Sequence, residues 1–552
     1  MAEKVFIYYI ILLVVAKPAY PTNSCSVTDY VDSCKYTVRC EIYAGSAQVY
    51  SCSSEPYVIF IISHSRIDAL TAGFFGSTNF DSRVREIRGI ENTWNSIEPY
   101  SFKYYAKSVV VDLSGNHIKT IKNEAFKNFA YLNYLNLSNN DMESLSPSSL
   151  YLSPDTSLSV LDLSNNNLTD IQYGVLNNLP RLEYLYLQNN QIEMLSDDSL
   201  SSLKNLTKLI LHHNKIETLN MMLINLKSLK ELDMSFNKLK KIAGYETNRL
   251  FSLEILNMSH NAIEILESNC FNQAPNLKIV DFSNNRIMST IEVKMFINNA
   301  KLQYLNLYNN KVKKIEDGSF EKSNLTYINL ENNFISGEIT NTTFVGLSEI
   351  KYLCLYNQNI TALKSKAFTW MRMLANLNLS VNSIQYIDKD SFNEMNSLHV
   401  LDLSHNNISS SVDVENLMHS LSKLRTLSLG GNPLSCKEIV RSIKITTMRL
   451  LEVTSIDKVY HEDNVYGITC GDDSVSNKTV NYKIDQNHQD SITQESTLPN
   501  IVLIWCSLLT VACVVIGVTV FIYKKKRNGV SRLHLRHSVE LNGSECPTDL
   551  LT

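Results

Sequence analysis

Glycine and proline are scarce in this chain, at 17 and 11 of 552 residues, against average usage near ~7% and ~5%. Collagen and Pro/Gly-rich disordered protein are excluded on that ground. A basic surplus is also missing. The net charge is −4 and the pI about 6.3, so nothing points to nucleic acid as a partner. No P-loop, G-x-S-x-G, H-E-x-x-H or dinucleotide fingerprint occurs, so the sequence offers no enzyme chemistry, no cofactor and no catalytic metal. What abounds is Leu, with 68 residues, and Asn, with 59. Leu at that level argues for a packed core. So much Asn in an apolar chain needs a recurring structural use.

Two apolar runs organise the ends. Lys4 followed by the 12-residue run Val5–Ala16 is too short to span a bilayer, and residues 1–16 read as a signal peptide. The uncharged 23-residue run Ile501–Tyr523 stops at Lys524-Lys525-Lys526-Arg527, the pattern of a transmembrane helix with its basic flank inside the cell. The expectation is a single-pass plasma-membrane protein with its N-terminus outside and a 29-residue tail, 524–552.

Cysteine usage suits secretion. Cys25, Cys34, Cys40 and Cys52 cluster near the N-terminus, where three disulfide pairings are open. Cys436 and Cys470 stand near the end of the ectodomain and are expected to close a C-terminal cap. Cys270 replaces a small core residue and reads as a buried thiol, and Cys354 as a partly shielded free one, with an intermolecular disulfide as the alternative. Ten glycosylation sequons precede the span, at Asn136, Asn167, Asn205, Asn257, Asn324, Asn341, Asn359, Asn378, Asn407 and Asn477.

Between the ends one pattern recurs. Leu182-x-x-Leu185-x-Leu187-x-x-Asn190-x-Ile192 returns as Leu206…Leu209…Leu211…Asn214…Ile216 and as Leu398…Leu401…Leu403…Asn406…Ile408. This is the leucine-rich repeat signature. Counting the first Leu as position 1, units start at 57, 84, 108, 132, 158, 182, 206, 229, 253, 277, 302, 325, 350, 374, 398 and 424, which makes 16 units. Phe75, Phe102, Phe126, Phe271, Phe320, Phe368 and Phe392 share position 19. Each unit should give a short strand at positions 3–5 and bury its Leu and Phe only by stacking on its neighbours. Position 9 should form an Asn ladder from Asn116 to Asn432, interrupted at Gln358, bonding the backbone of its own coil and the next.

The chain therefore resembles the extracellular leucine-rich repeat proteins of the typical 24-residue class, which include Toll-like receptor ectodomains, the acid-labile subunit, chaoptin and connectin. The resemblance covers about residues 25–470. It implies an α/β solenoid, a horseshoe with a parallel concave β-sheet, disulfide-bonded end caps, and a role in protein recognition or adhesion. The tail is too short for a TIR domain. The expected organisation is a signal peptide at 1–16, an N-terminal Cys cap at 20–56, repeats at 57–435, a C-terminal cap at 436–470, a polar stalk at 471–500, the span at 501–523, and the tail.

Concave side chains come from positions 2, 3, 5, 7 and 8. Tyr304, Tyr327 and Tyr352 hold position 3 in successive units, with Tyr308 and Tyr356 at position 7 nearby. These five rings are the candidate ligand-binding patch, since Tyr is enriched at hot spots; the alternative is that they only pack between strands. Sequons at Asn136, Asn257 and Asn378 fall at position 5, where a glycan would obstruct ligand. His212, His213 and His260 are also concave, but Phe236 intervenes and the ~9.6 Å gap is too wide for shared zinc, so they read as surface residues. The lysines at 238, 240, 241, 311, 313 and 314 read as a solvated face. The function implied is receptor or co-receptor for an extracellular protein ligand, or homophilic or heterophilic adhesion, or membrane-tethered matrix organisation, with homodimerisation left open.

Overall fold

Positions 1, 4, 6 and 11 carry apolar residues in nearly every unit, and only three residues, positions 3–5, lie between the entry and the Asn turn. The outcome is a stack of short strands. In a computed structural model of the chain, residues 92–409 are described except 128, 154–155, 248 and 294, together with 420–447 and Leu417. Shorter pieces are described at 25–31, 35–40, 58–63, 68–71, 84–90, 452–454, 464–465 and 468–469. The signal peptide, Cys34, Cys52, Phe75, Cys470, Asn477, the stalk, the 501–523 run and the tail lie outside the described residues. Among the described residues no helix is long and apolar enough to cross a membrane.

The main sheet is parallel, and each strand pairs with those of the coils before and after it. It runs in chain order from Val58–Ser63 to Glu452–Thr454, 17 strands among the described residues. Sixteen of them follow the sixteen unit starts. The last, Glu452–Thr454, pairs with Thr426–Ser428 and carries the sheet beyond the last repeat into the expected C-terminal cap. Register is kept without slippage from Tyr134–Asn136 to Thr426–Ser428, so that residues of equal repeat position stand side by side. Before the repeats, Cys25–Val31 and Lys35–Cys40 form an antiparallel hairpin with Cys25 opposite Cys40. After them comes the helix Cys436–Thr447. Small parallel pairings such as Asp170–Ile171 with Met194–Leu195 join the coils again just past the Asn turn.

The core is one continuous column. Leu135, Leu161, Leu185, Leu209, Leu232 and Leu256 are at most 1% exposed, one above the next at position 4. On the far side of the coil a second column holds Phe. Phe102 stacks on Phe126 at 5.5 Å, Phe344 on Phe368 at 6.0 Å, and Phe368 on Phe392 at 5.4 Å. In the middle coils Leu150, Leu176, Leu200 and Leu223 take that place, and in one coil it is filled by the buried Thr247, whose hydroxyl donates to the Cys270 carbonyl.

The Asn ladder is present with a definite direction. Asn237 Nδ2 donates to the Met234 carbonyl of its own coil at 3.1 Å and to the Leu211 carbonyl of the preceding coil at 3.0 Å. Its Oδ1 accepts from the Ile216 N–H, also of the preceding coil, at 3.0 Å. Each Asn thus ties its own coil to the one before it, not to the one after. Gln358 does not interrupt the ladder. Its Nε2 reaches the Leu330 carbonyl at 2.6 Å and its Oε1 accepts from Ile335 N–H at 3.1 Å. Its extra methylene carries the amide past the Leu355 carbonyl, and the bond within the coil goes to Tyr356 at 3.1 Å.

Replacing Asn237 by Ala leaves the Ile216 N–H without its acceptor and takes one of two amide donors from each of the Leu211 and Met234 carbonyls, and should lower stability by about 1–3 kcal/mol. Gln358→Asn restores the usual donor to Leu355 and should raise it by about 0.5–1.5 kcal/mol. Chemical denaturation of the two variants beside the parent checks both signs.

Candidate ligand-binding face

Positions 3, 5, 7 and 8 form columns on the outer face and edge of the sheet, because register aligns equal positions across coils. Position 5 ends each strand. In ten coils it is Asp or Asn, and its Oδ1 accepts from the N–H two residues on at 2.8–3.1 Å. This is an Asx turn, which leads the chain off the strand. The sequons at Asn136, Asn257 and Asn378 are the amide version of this motif, with Ser at position 7. The amide has a second use. Asn257 lies between Asp233 and Asp281 and donates to Asp233 Oδ2 at 3.3 Å, and Asn306 donates to Asp281 Oδ2 at 3.0 Å. Amides thereby keep carboxylates off neighbouring strands. The other described sequons, Asn167, Asn205, Asn324, Asn341, Asn359 and Asn407, are exposed.

At position 3, Tyr304, Tyr327 and Tyr352 stand in register on adjacent strands. Tyr304 and Tyr327 stack at 4.4 Å with planes 6° apart, and Tyr352 tilts against Tyr327 at 6.1 Å and 48°. Tyr304 and Tyr327 are 7% and 2% exposed, while Tyr308, Tyr352 and Tyr356 are half-buried. Burial pushes the Tyr327 phenol up to about 12, and it raises Tyr304 and Tyr356 as well. All three are neutral hydrogen-bonding groups at physiological pH. Asn329 Nδ2 donates to the Tyr327 hydroxyl at 3.4 Å. The Tyr304 hydroxyl is buried beside Tyr327 and Asn306.

Cys354 follows on the next strand at position 5. It is not a free thiol: it is 5% exposed and disulfide-bonded. Position 5 turns its sulfur away from the core, where another cysteine can reach it. Cys436 is likewise disulfide-bonded. Cys270 is a buried free thiol, and burial pushes its pKa far up. The lysines at positions 238, 240, 241, 311, 313 and 314 are exposed, and Lys240 and Lys241 pair with Glu217 and Glu267 at 2.7 and 2.6 Å.

Position 8 is left-handed throughout, with φ from +51° to +56° in twelve non-glycine residues from Asn139 to His405. Seven of the twelve are Asn, which tolerates this region. Phe236 does not, and a bulky residue there costs about 1–2 kcal/mol. It is 43% exposed and lies between His213 and His260, with ring centroids at 4.2 and 4.1 Å and planes 13° and 8° apart. Phe236 therefore joins the histidines it was expected to separate. Its signal in the sequence was a Phe flanked by two His at a position where seven of the twelve non-glycine residues are Asn.

Residues 109–154, 156–216, 185–239, 204–263, 227–287, 275–335, 323–384 and 372–434 match the leucine rich repeat family. Tsukushi of Gallus gallus is 31% identical over 250 residues, covering 43% of this chain and 66% of that protein. CD180 antigen of Mus musculus is 27% identical over 243 residues, covering 43% of this chain and 33% of that protein. The match thus spans from a third to just under two thirds of these relatives. A leucine-rich repeat protein of Leptospira interrogans has the same fold at TM-score 0.51 and 25% identity, over 68% of this chain and 96% of that one.

Asn257→Asp would place three carboxylates on adjacent strands about 4.8 Å apart. It should destabilise by about 0.2–1 kcal/mol at neutral pH, and the loss should vanish below about pH 4, where carboxylates protonate. Denaturation curves at the two pH values measure it.

Proposed function

The chain belongs to the leucine-rich repeat family, and from that premise we propose that it is a cell-surface recognition protein that binds an extracellular protein ligand or co-receptor. It is not an enzyme: its relatives are receptor and matrix proteins of a non-enzymatic family. The ligand face in this proposal is Tyr304, Tyr308, Tyr327, Tyr352 and Tyr356. One observation carries it. Tyr304, Tyr327 and Tyr352 stand in register on three adjacent strands with ring centroids 4.4 and 6.1 Å apart, a column of rings of the kind that anchors protein interfaces.

The rest of the proposal follows from the two apolar runs. Residues 1–16 direct secretion, 501–523 anchor the chain in the plasma membrane, and 524–552 face the cytoplasm. The caps around Cys25–Cys52 and Cys436–Cys470 close the ends of the core by disulfides. The exposed sequons carry glycans on the coil surfaces, leaving the tyrosine column open.

A pull-down with the ectodomain, residues 20–498, identifies the ligand. The triple variant Tyr304→Ser, Tyr327→Ser, Tyr352→Ser should then lose about 30-fold or more in affinity, the scale of one hot-spot residue, at a melting temperature matched against a buried-core control variant. Undiminished binding by a folded triple variant would remove the tyrosine face from the proposal. Mixing cells that express the full chain separates ligand reception from homophilic adhesion, which alone makes them aggregate.

A further inference from the structure

The position-8 column changes chemistry over three successive coils. On one side Asn189 Nδ2 donates to Asn165 Oδ1 at 2.9 Å. On the other, Asn309 Nδ2 donates to Asn284 Oδ1 at 2.9 Å, and Asn284 Nδ2 donates to His260 Nε2 at 3.0 Å. Between these amides stand the stacked rings of His213, Phe236 and His260. His212 meets His213 edge-on at 5.1 Å and 77°, with the two Nδ1 atoms 2.9 Å apart.

Two of these contacts depend on where protons sit. An Nδ1–Nδ1 contact is a hydrogen bond only when one nitrogen carries a proton and the other does not. The His212–His213 pair therefore holds one Nδ1 proton readily and a second only against an N–H to N–H clash. His260 Nε2 accepts from Asn284 only while it is unprotonated. Once protonated it is a donor, and Asn284 must turn its amide to present Oδ1. That withdraws the acceptor of Asn309 Nδ2, and Asn309 must rearrange in turn. Phe236 spaces the two imidazoles and offers a π face to each imidazolium when it forms.

The charged groups around the row are few. Asp233 favours the proton on His212, and Asp281 favours the proton on His260. The Lys208–Glu231 pair, 2.7 Å, lies on the strands of the same coils. Lys215 and Lys238 follow two residues after His213 and Phe236. Burial outweighs the aspartates and holds both His212 and His260 below the ordinary imidazole range.

We propose that His212, His213, Phe236 and His260 form one proton-binding unit on the edge of the sheet, whose loading reverses the amide relay through Asn284 to Asn309. This edge is then neutral and ends in an acceptor at neutral pH, and is cationic and ends in a donor near about pH 5. The unit is independent of the tyrosine column and of any ligand there.

The test is an NMR titration of the full chain carrying labelled histidine and asparagine, from about pH 8 to about pH 4.5. Assignments come from His213→Asn and His260→Asn, which install the residue most coils carry at position 8. His212 should titrate below the ordinary imidazole range, and His213→Asn should shift its midpoint by about half a pH unit or more, a roughly threefold or greater coupling. His260 should titrate below about 6.5, and the Asn309 side-chain amide should shift at the same midpoint. Asn284→Ala should abolish that amide response. Phe236→Asn should lower the His260 midpoint by about half a unit. A His212 midpoint that His213→Asn leaves unmoved, or an Asn309 amide that stays still while His260 titrates, would overturn the proposal. The Asn309 amide is read in the parent protein, where the variants serve only for assignment.

Discussion

Every coil must leave its strand, and the backbone groups at that corner lose their sheet partners just where they are shielded from water. The position-9 amide resolves this with one side chain. Its Nδ2 bridges two carbonyls, one in its own coil and one in the coil before, and its Oδ1 takes an N–H of the preceding coil, as Asn237 does with Met234, Leu211 and Ile216. Aspartate lacks the donor, lysine lacks the acceptor, and serine is too short to bridge two coils. The strand register depends on this, because an amide that holds each coil to the one before it also fixes their relative height. Gln358 shows the tolerance of the arrangement: a longer amide keeps the bonds to the preceding coil and relocates only the one within its own.

Register then has consequences outside the core. Since equal positions are neighbours, a residue type repeated along the sequence becomes a column in space. At position 5 an unbroken run of Asp would be a row of facing carboxylates. Asn257 between Asp233 and Asp281 avoids it while keeping the Asx turn. The three inner sequons thus have a structural origin in the turn and in charge spacing, whatever use is made of them as acceptors of glycan. At position 8 the same alignment turns left-handed Asn residues into an amide row that a ring can enter only by stacking. Phe236 accepts the strained conformation because His213 and His260 flank it on both faces.

The repeat frame was legible in the sequence because its determinants are local and redundant. Leu185, Asn190 and Ile192 say the same thing as Leu209, Asn214 and Ile216, and a single degenerate unit does not erase the pattern. The extension of the sheet by Glu452–Thr454 was not legible, since that strand carries no Asn turn and joins the sheet by pairing with Thr426–Ser428. The direction of the Asn bonds was not legible either, because spacing along the chain is symmetric and hydrogen-bond geometry is not. Cys354 was misread for a related reason: its partner is set by the fold and not by a spacing.

The candidate surfaces were half legible, and the half that was missed has a common cause. Tyr304, Tyr327 and Tyr352 announce themselves because one residue type repeats at one position. His213, Phe236 and His260 are three coils of a single surface too, but they alternate in type, so a search for repeated residues passes over them and a search for metal spacing finds the gap too wide. Both columns become visible once each coil is compared with the residue its neighbours place at the same position. Departure from the scaffold's own rule is therefore the useful signal in a solenoid. The interior positions are constrained by stacking to be alike, and only the outward columns are free to differ. At position 8 the fold imposes left-handed backbone and favours Asn, so a bulky ring kept there at a cost to the backbone must be stabilised by its neighbours. The stack provides that stabilisation, and it also brings three imidazoles under one another's influence.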